Sequence, residues 1–143
     1  SLKIFGDYNI QTKTFGLYLA EALQITNILR DIKQDANMGR MYIPIEILNS
    51  VGIKKNKIIS ILKNKKFPKA CTKLSKKADY NFEHADKLLE LCSKRKLKSA
   101  ILMMDTYKLL LKKLKKKGWE NLGEKVTLTK FEKIFLLFKG IIF

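Results

Sequence analysis

The stretch from Gln24 to Asp35 sets the problem that any fold of this chain must solve. Taken at helical period, apolar residues lie on nearly every side of it: Leu17, Leu19, Leu23, Ile25, Ile28, Leu29 and Ile32. A helix apolar all round is normally a buried one. Yet Gln24, Asn27, Asp31 and Asp35 recur at steps of three and four, which stacks them in one polar stripe on one face. A buried carboxylate that lacks a partner is destabilising by roughly 3–5 kcal/mol. Something cationic must therefore stand opposite Asp31 and Asp35. A lysine or arginine would serve, and so would a divalent metal. Oxygen ligands one helical turn apart suit Mg²⁺, which keeps several waters and bridges to substrate phosphates. Spacing alone leaves both open, because two aspartates four apart are common on solvated helix faces.

Length and composition narrow the class. The 143 residues suit one domain, and a hydrophobic content of 46% supplies a core, so the chain is not a disordered basic tail. Cys71 and Cys92 are too few for a disulfide framework and have no metal spacing, which predicts reduced thiols and a cytoplasmic setting. No apolar run is long enough to span a bilayer. The net charge of +17 raises a nucleic-acid reading. Against it, the basic residues are nearly all lysine, spread over every predicted helix, with no nucleic-acid motif and no aromatics interleaved with arginine. We expect no nucleic-acid partner. The same charge would attract diphosphates and favour peripheral contact with an anionic membrane, where each lysine is worth roughly 1 kcal/mol.

Taken in order, the chain predicts an all-α fold. Residues 1–6 look like a helix end, followed by a central helix from about Thr12 to Asn37. Gly39 stands where a helix end favours a left-handed residue, and Pro44 blocks continuation. Between them, Arg40 either pairs with an aspartate or closes over a phosphate group, and Tyr42 either caps the core or closes with it. Short helices are predicted at Ile45–Leu48 and Asn56–Lys63. Pro68 fits the first position of a long helix with the stripe Ala70, Leu74, Ala78, Phe82, Ala85, Leu89 and Cys92. Asp79 and Glu83 on it read as a solvated face. His84, the single histidine, has no ligand set at metal spacing and reads as structural or exposed. A further helix spans Leu97–Lys117 with Leu97, Ile101, Met104, Tyr107 or Lys108, Leu111 and Leu114 inward, and Gly118 ends it. Thr129 and Glu132 form a capping-box pattern that opens a last helix, rich in Phe, Ile and Leu. It is too short to span a membrane. It either packs on the bundle, the default expectation, or lies against a membrane surface.

The central stretch also carries a resemblance. Ala22, Leu23, Gln24, Thr26, Asn27, Ile28, Arg30 and Asp31, then Asp35, then Gly39, Arg40, Tyr42 and Pro44, closely resemble the second aspartate-rich signature of the squalene/phytoene synthase family. Met103 to Tyr107 looks like the family's late helix carrying a tyrosine. Gly118-Trp119 followed by Glu124 to Leu128 looks like its terminal loop and last helix. Within the family the likeness is to bacterial hopanoid-pathway members that make presqualene diphosphate and squalene. The family's first aspartate-rich motif has no counterpart here. The resemblance therefore implies that residues 1–143 correspond to the C-terminal half of an isoprenoid-synthase-type helical bundle, to be completed by a separate or longer N-terminal half.

What the resemblance implies about chemistry is specific. Mg²⁺ held by Asp31, Asp35 and Asn27 would bind the diphosphate of one farnesyl diphosphate in a head-to-head condensation to presqualene diphosphate or squalene, with NADPH an open requirement. Asp31, Asp35 and Tyr107 are the implied catalytic residues. Gln24, Asn27, Arg30, Arg40, Tyr42, Lys125 and Lys133 are the implied substrate-binding residues. Lys125 stands where the family pattern expects arginine, which weakens bidentate phosphate binding there. Read without the resemblance, Lys125 and Lys133 are solvated lysines. The alternatives are a phytoene or dehydrosqualene synthase, or a non-catalytic helical subunit.

Overall fold

A computed structural model describes the backbone of residues 10–142, and side chains through residue 139. The predicted helix end at residues 1–6 lies outside the described residues. The described chain is all helix and loop: α1 (Ile10–Arg30), α2 (Ile32–Asn37), α3 (Ile45–Ser50), α4 (Ile58–Lys63), α5 (Phe67–Leu89), a 3₁₀ turn at Lys94–Leu97, α6 (Lys98–Lys117) and α7 (Lys130–Ile142).

α5 is the axis of the bundle. α1 packs along its length, α6 lies on another side, and α3 and α4 cover its first turns. The predicted stripe is the reason. Ala70, Leu74, Ala78, Phe82, Ala85 and Leu89 are all buried, as are Phe67 and Cys71. Three fully buried alanines on α5, with Ala22 of α1, let the helix backbones approach closely, and Phe15, Leu19, Ile25 and Leu29 of α1 fill the space between. Met104, Leu110, Leu111 and Leu114 close the core from α6. Burying each of these larger side chains is worth about 1.5–3 kcal/mol. Ion pairs fix the directions: Glu21 meets Lys77 between α1 and α5, while Asp79 meets Lys115 and Asp86 meets Lys108 between α5 and α6. Between α5 and α6 one number rises as the other falls, and between α1 and α5 the Tyr18–His84 ring contact with the Glu21–Lys77 pair shows the same order, so α1 and α6 each run antiparallel to α5. Asp79, expected on a solvated face, is thus an inter-helix partner.

Local stops fall where the residue types predict. Gly39 (φ +73°) follows α2 and Gly118 (φ +75°) follows α6, both in a region that costs an L side chain strain. Pro68 sits in the first turn of α5. The capping box at α7 is formed in full: the Thr129 hydroxyl accepts from the Glu132 amide at 3.1 Å, and Glu132 accepts from the Thr129 amide at 2.7 Å. His84 is half-buried, stacked on Tyr18 and tilted against Tyr80, with ring centroids 5.3 and 4.0 Å away.

Two expectations are corrected. The central helix is broken at Asp31, whose backbone (φ −103°, ψ 16°) separates α1 from α2. It is also not buried all round, since Leu17 is 63% exposed and Gln24 is exposed, along one line with Ala20. The expected packing of α7 on the bundle is found, against α6, but by its polar side, with Leu136 its one buried apolar side chain among the described residues.

Candidate functional site

The polar stripe survives the break in the helix. The Asp31 amide still donates to the Asn27 carbonyl at 3.0 Å, and the Asp35 amide to the Asp31 carbonyl at 2.8 Å. The i, i+4 register therefore runs on, and Asn27, Asp31 and Asp35 remain stacked along one line of turns.

Asp31 already has a cation. The Arg30 guanidinium grips its carboxylate with both arms, Nε to Oδ1 at 2.8 Å and Nη2 to Oδ2 at 2.9 Å. Such two-point pairs are the strong form of the contact. The bond to Asp31 raises the Arg30 pKa, burial opposes it, and the nearby Tyr107 adds a smaller upward push. Tyr107, from α6, thus comes up beside the Arg30 head. Arg30 and Asp31 open on a cavity of about 400 Å³. Its walls are Arg30, Asp31, Lys33 and Gln34 on one side, and the loop Leu122–Thr127, with Lys125, on the other.

The loop is held there by Trp119. Its indole Nε1 donates to the Leu29 carbonyl at 3.1 Å, in a buried contact at the end of α1. Lys113 ties the far end of the loop by donating to the Thr127 carbonyl at 2.7 Å. Lys125 also lines a second, basic cleft of about 740 Å³, shared with Lys112, Lys113, Lys116 and Lys117 of α6 and with Glu124 and Glu132.

Asp35, Arg40 and Tyr42 form a separate small group. They line one crevice with Ile28 and Ile32, and the Arg40 amide donates to the Asp35 carbonyl at 2.8 Å. The structure therefore gathers Arg30, Asp31 and Lys125 around one cavity, with Tyr107 close to Arg30 but not in the cavity wall, and Asp35, Arg40 and Tyr42 in a separate crevice. Gln24 is exposed two turns before Asp31. Lys133 is exposed on the first turn of α7 and lines neither the cavity nor the cleft. Sequence reasoning missed Lys33, Gln34 and Thr127 in the cavity wall. It also missed Trp119 as the anchor, for which the chain's single tryptophan was the available signal.

Two observations bear on a metal. The Asn27 side-chain oxygen is buried and without a hydrogen-bond partner, so an acceptor on the stripe lacks a donor or a cation. Among the described residues no cluster of three or more His, Cys, Asp or Glu side chains forms. The available donor set is thus two carboxylates and an amide oxygen. All are hard oxygen ligands, too few to enclose an ion, which fits a cation that keeps waters and shares a phosphate ligand.

Comparison with known proteins identifies the family. The sequence model of the squalene/phytoene synthase family matches residues 1–132. A presqualene diphosphate synthase from Sinorhizobium fredii is 33% identical over 139 residues, covering 97% of this chain and 50% of that protein. One from Zymomonas mobilis is 35% identical, over 97% of this chain and 47% of that protein. A phytoene synthase from Mycobacterium tuberculosis is 42% identical over a shorter stretch of 53 residues, 37% of this chain. The chain spans about half the length of the curated presqualene diphosphate synthases it matches. The family match runs through the aspartate stripe, the Trp119 loop and the start of α7, so the chain belongs to the squalene/phytoene synthase family.

Proposed function

We propose that this chain carries the diphosphate-binding half of a head-to-head prenyltransferase that condenses two farnesyl diphosphates to presqualene diphosphate. The observation that carries the reading is the convergence of Arg30, Asp31 and Lys125 on one cavity at the α1–α2 junction, with Tyr107 beside Arg30.

Asn27, Asp31 and Asp35 would hold Mg²⁺, the first through its unpartnered oxygen. Bound there, the ion would draw charge from the leaving diphosphate. The protein's own groups act around it. Lys125 faces Arg30 and Asp31 across the cavity and offers a compact positive charge to a diphosphate lying between them. The hold of Asp31 on Arg30 aims the guanidinium, with Tyr107 nearby. Arg40 and Tyr42, beside Asp35, close the outer end. The exposed Leu17 and Ala20 on α1, one turn before Gln24, supply an apolar approach for a prenyl chain, shielding an allylic cation from water once covered.

That cover, in this reading, is a second helical segment equivalent to the other half of the relatives, supplied in the same gene product or by a separate one. The described residues alone are then expected to bind substrate without turnover. Reduction onward to squalene needs a hydride donor, for which we propose NADPH. The presqualene reading is favoured over phytoene synthesis because the presqualene diphosphate synthases match along 97% of this chain. The higher local identity to a phytoene synthase supports that product as the second reading.

Product analysis tests this directly. The natural gene product containing this chain is given farnesyl diphosphate and Mg²⁺, with and without NADPH, and the lipids are extracted. Presqualene diphosphate, or squalene when NADPH is present, is expected and should vanish in Asp31→Asn. A folded protein that makes no product from farnesyl diphosphate but condenses geranylgeranyl diphosphate would replace this reading with the second.

A further inference from the structure

The segment from Glu124 to Thr127 is a partition. Its residues line the Arg30–Asp31 cavity on one side and the basic cleft on the other. It belongs to a stretch without helix or strand. Between Glu120 and Leu128, the one backbone bond among the described residues runs from the Glu124 amide to the Asn121 carbonyl, at 3.4 Å. A segment so short of bonds of its own takes its place from whatever donates to its carbonyls.

Two lysines of α6 do this. Lys113 and Lys117 stand one turn apart and are half-buried, whereas Lys112, Lys115 and Lys116 around them are exposed. Lys117 donates to the Asn121 carbonyl at 3.2 Å and to the Glu124 carbonyl at 3.4 Å. Lys113 donates to the Thr127 carbonyl at 2.7 Å and to the Glu132 carboxylate. An ammonium suits the task, because its three donors on one atom can bridge two acceptors. The accepting carbonyls recur at every third residue, so the stretch is turned to α6 at three points. Lys125 lies between the second and the third. Lys113 and Lys117 line the cleft but not the cavity, so what they do to a ligand in the cavity is done through the partition.

We propose that Lys113 and Lys117 are positioning residues: by pinning the backbone on either side of Lys125, they hold its ammonium toward Arg30 and Asp31, where it meets a diphosphate. The proposal rests on the diphosphate-binding reading above. Its test uses the natural gene product, with inorganic diphosphate and Mg²⁺ as the probe in calorimetry. Lys113→Met and Lys117→Met, each alone so that one answers if the other does not fold, should weaken binding by about tenfold. Lys117→Arg keeps the charge and the donors and should stay near the parent. Trypsin should cut after Lys125 faster in both Met variants, because the loosened segment opens more often. Circular dichroism confirms that the helices remain. The double variant Lys125→Gln with Lys117→Met separates positioning from plain attraction. With Lys125 gone there is nothing to position, so affinity should fall no further than in Lys125→Gln alone. A further, additive fall would mean that Lys117 attracts the anion by its own charge, and would overturn the proposal. So would unchanged cleavage, or parent affinity in the Met variants while Lys125→Gln is impaired. Parent affinity in Lys125→Gln itself would instead remove the diphosphate reading of the cavity, and the positioning role with it.

Discussion

The indole nitrogen of Trp119 donates to the carbonyl of Leu29, ninety residues earlier in the chain, at 3.1 Å in a buried contact. This bond clamps the loop that carries Lys125 against the turn of α1 that precedes Asp31. Both walls of the candidate site are registered by it. Replacing the ring while keeping its bulk isolates the bond. Trp119→Phe should lose about 1–3 kcal/mol, because the Leu29 carbonyl stays buried without its donor. Urea unfolding of the natural gene product measures the loss, and diphosphate affinity should fall with it.

Asn27 offers a test of function against stability. Its side-chain oxygen is buried and unpartnered, a state costly to folding unless a ligand repays it. Asn27→Leu should therefore keep the midpoint of thermal unfolding or raise it, by up to about 1–3 kcal/mol in stability. The same variant should lose Mg²⁺-dependent binding of inorganic diphosphate, read by calorimetry. A large destabilisation would mean that the amide is a structural hydrogen-bonding group.

The two cysteines should differ sharply in reactivity. Burial pushes the Cys71 thiol up to about 12, far from the thiolate that alkylating reagents need. Cys92 is half-buried near the end of α5, its thiol donating to the Leu88 carbonyl. Iodoacetamide at neutral pH should label Cys92 first, and Cys71 only in denaturant. Mass spectrometry of tryptic peptides reads both. Labelling of Cys71 in the native protein would contradict the packing of α5 on α1.

The hold on α7 should weaken in acid. Hydrogen bonding to Lys113, and then to the Thr129 amide, keeps the Glu132 carboxyl below its ordinary value of 4.5. A carboxyl depressed in the folded state contributes stability above its unfolded pKa and loses it as pH falls through the folded one. Docking of α7 should thus be constant from neutral pH to about 5 and decline below that. Glu132→Gln should flatten the profile, and amide hydrogen exchange along α7 measures it. Thr129→Ala removes the cap at all pH values and should cost the helix about 0.5–2 kcal/mol.

Much of the fold was legible because its determinants are local. The stripe from Ala70 to Leu89 declares α5 by its period alone, since residues three and four apart share a face whatever lies opposite. Gly39 and Gly118 mark their stops because a positive φ is cheap only for glycine. Thr129 and Glu132 cap α7 through bonds that reach three residues. The stacking of Asn27, Asp31 and Asp35 was fixed in the same way, and it outlasts the break at Asp31.

What stands opposite each face was decided only by the tertiary structure. The carboxylate of Asp31 was owed a cation, but that its neighbour Arg30 would supply one depends on how the side chain folds back beside Tyr107. Lys125 and Lys133 are alike in the sequence, yet one faces Arg30 and Asp31 and the other faces water, because Trp119 pulls only the loop against α1. The apolar face of α7 was visible as a face but not as an outward one. Its direction is set by a balance between burying three phenylalanines and keeping Leu136, Glu132–Lys113 and Lys139–Asp105 on the bundle. Periodicity records which residues share a side of a helix. Which side turns inward depends on energies summed over partners distant in the chain.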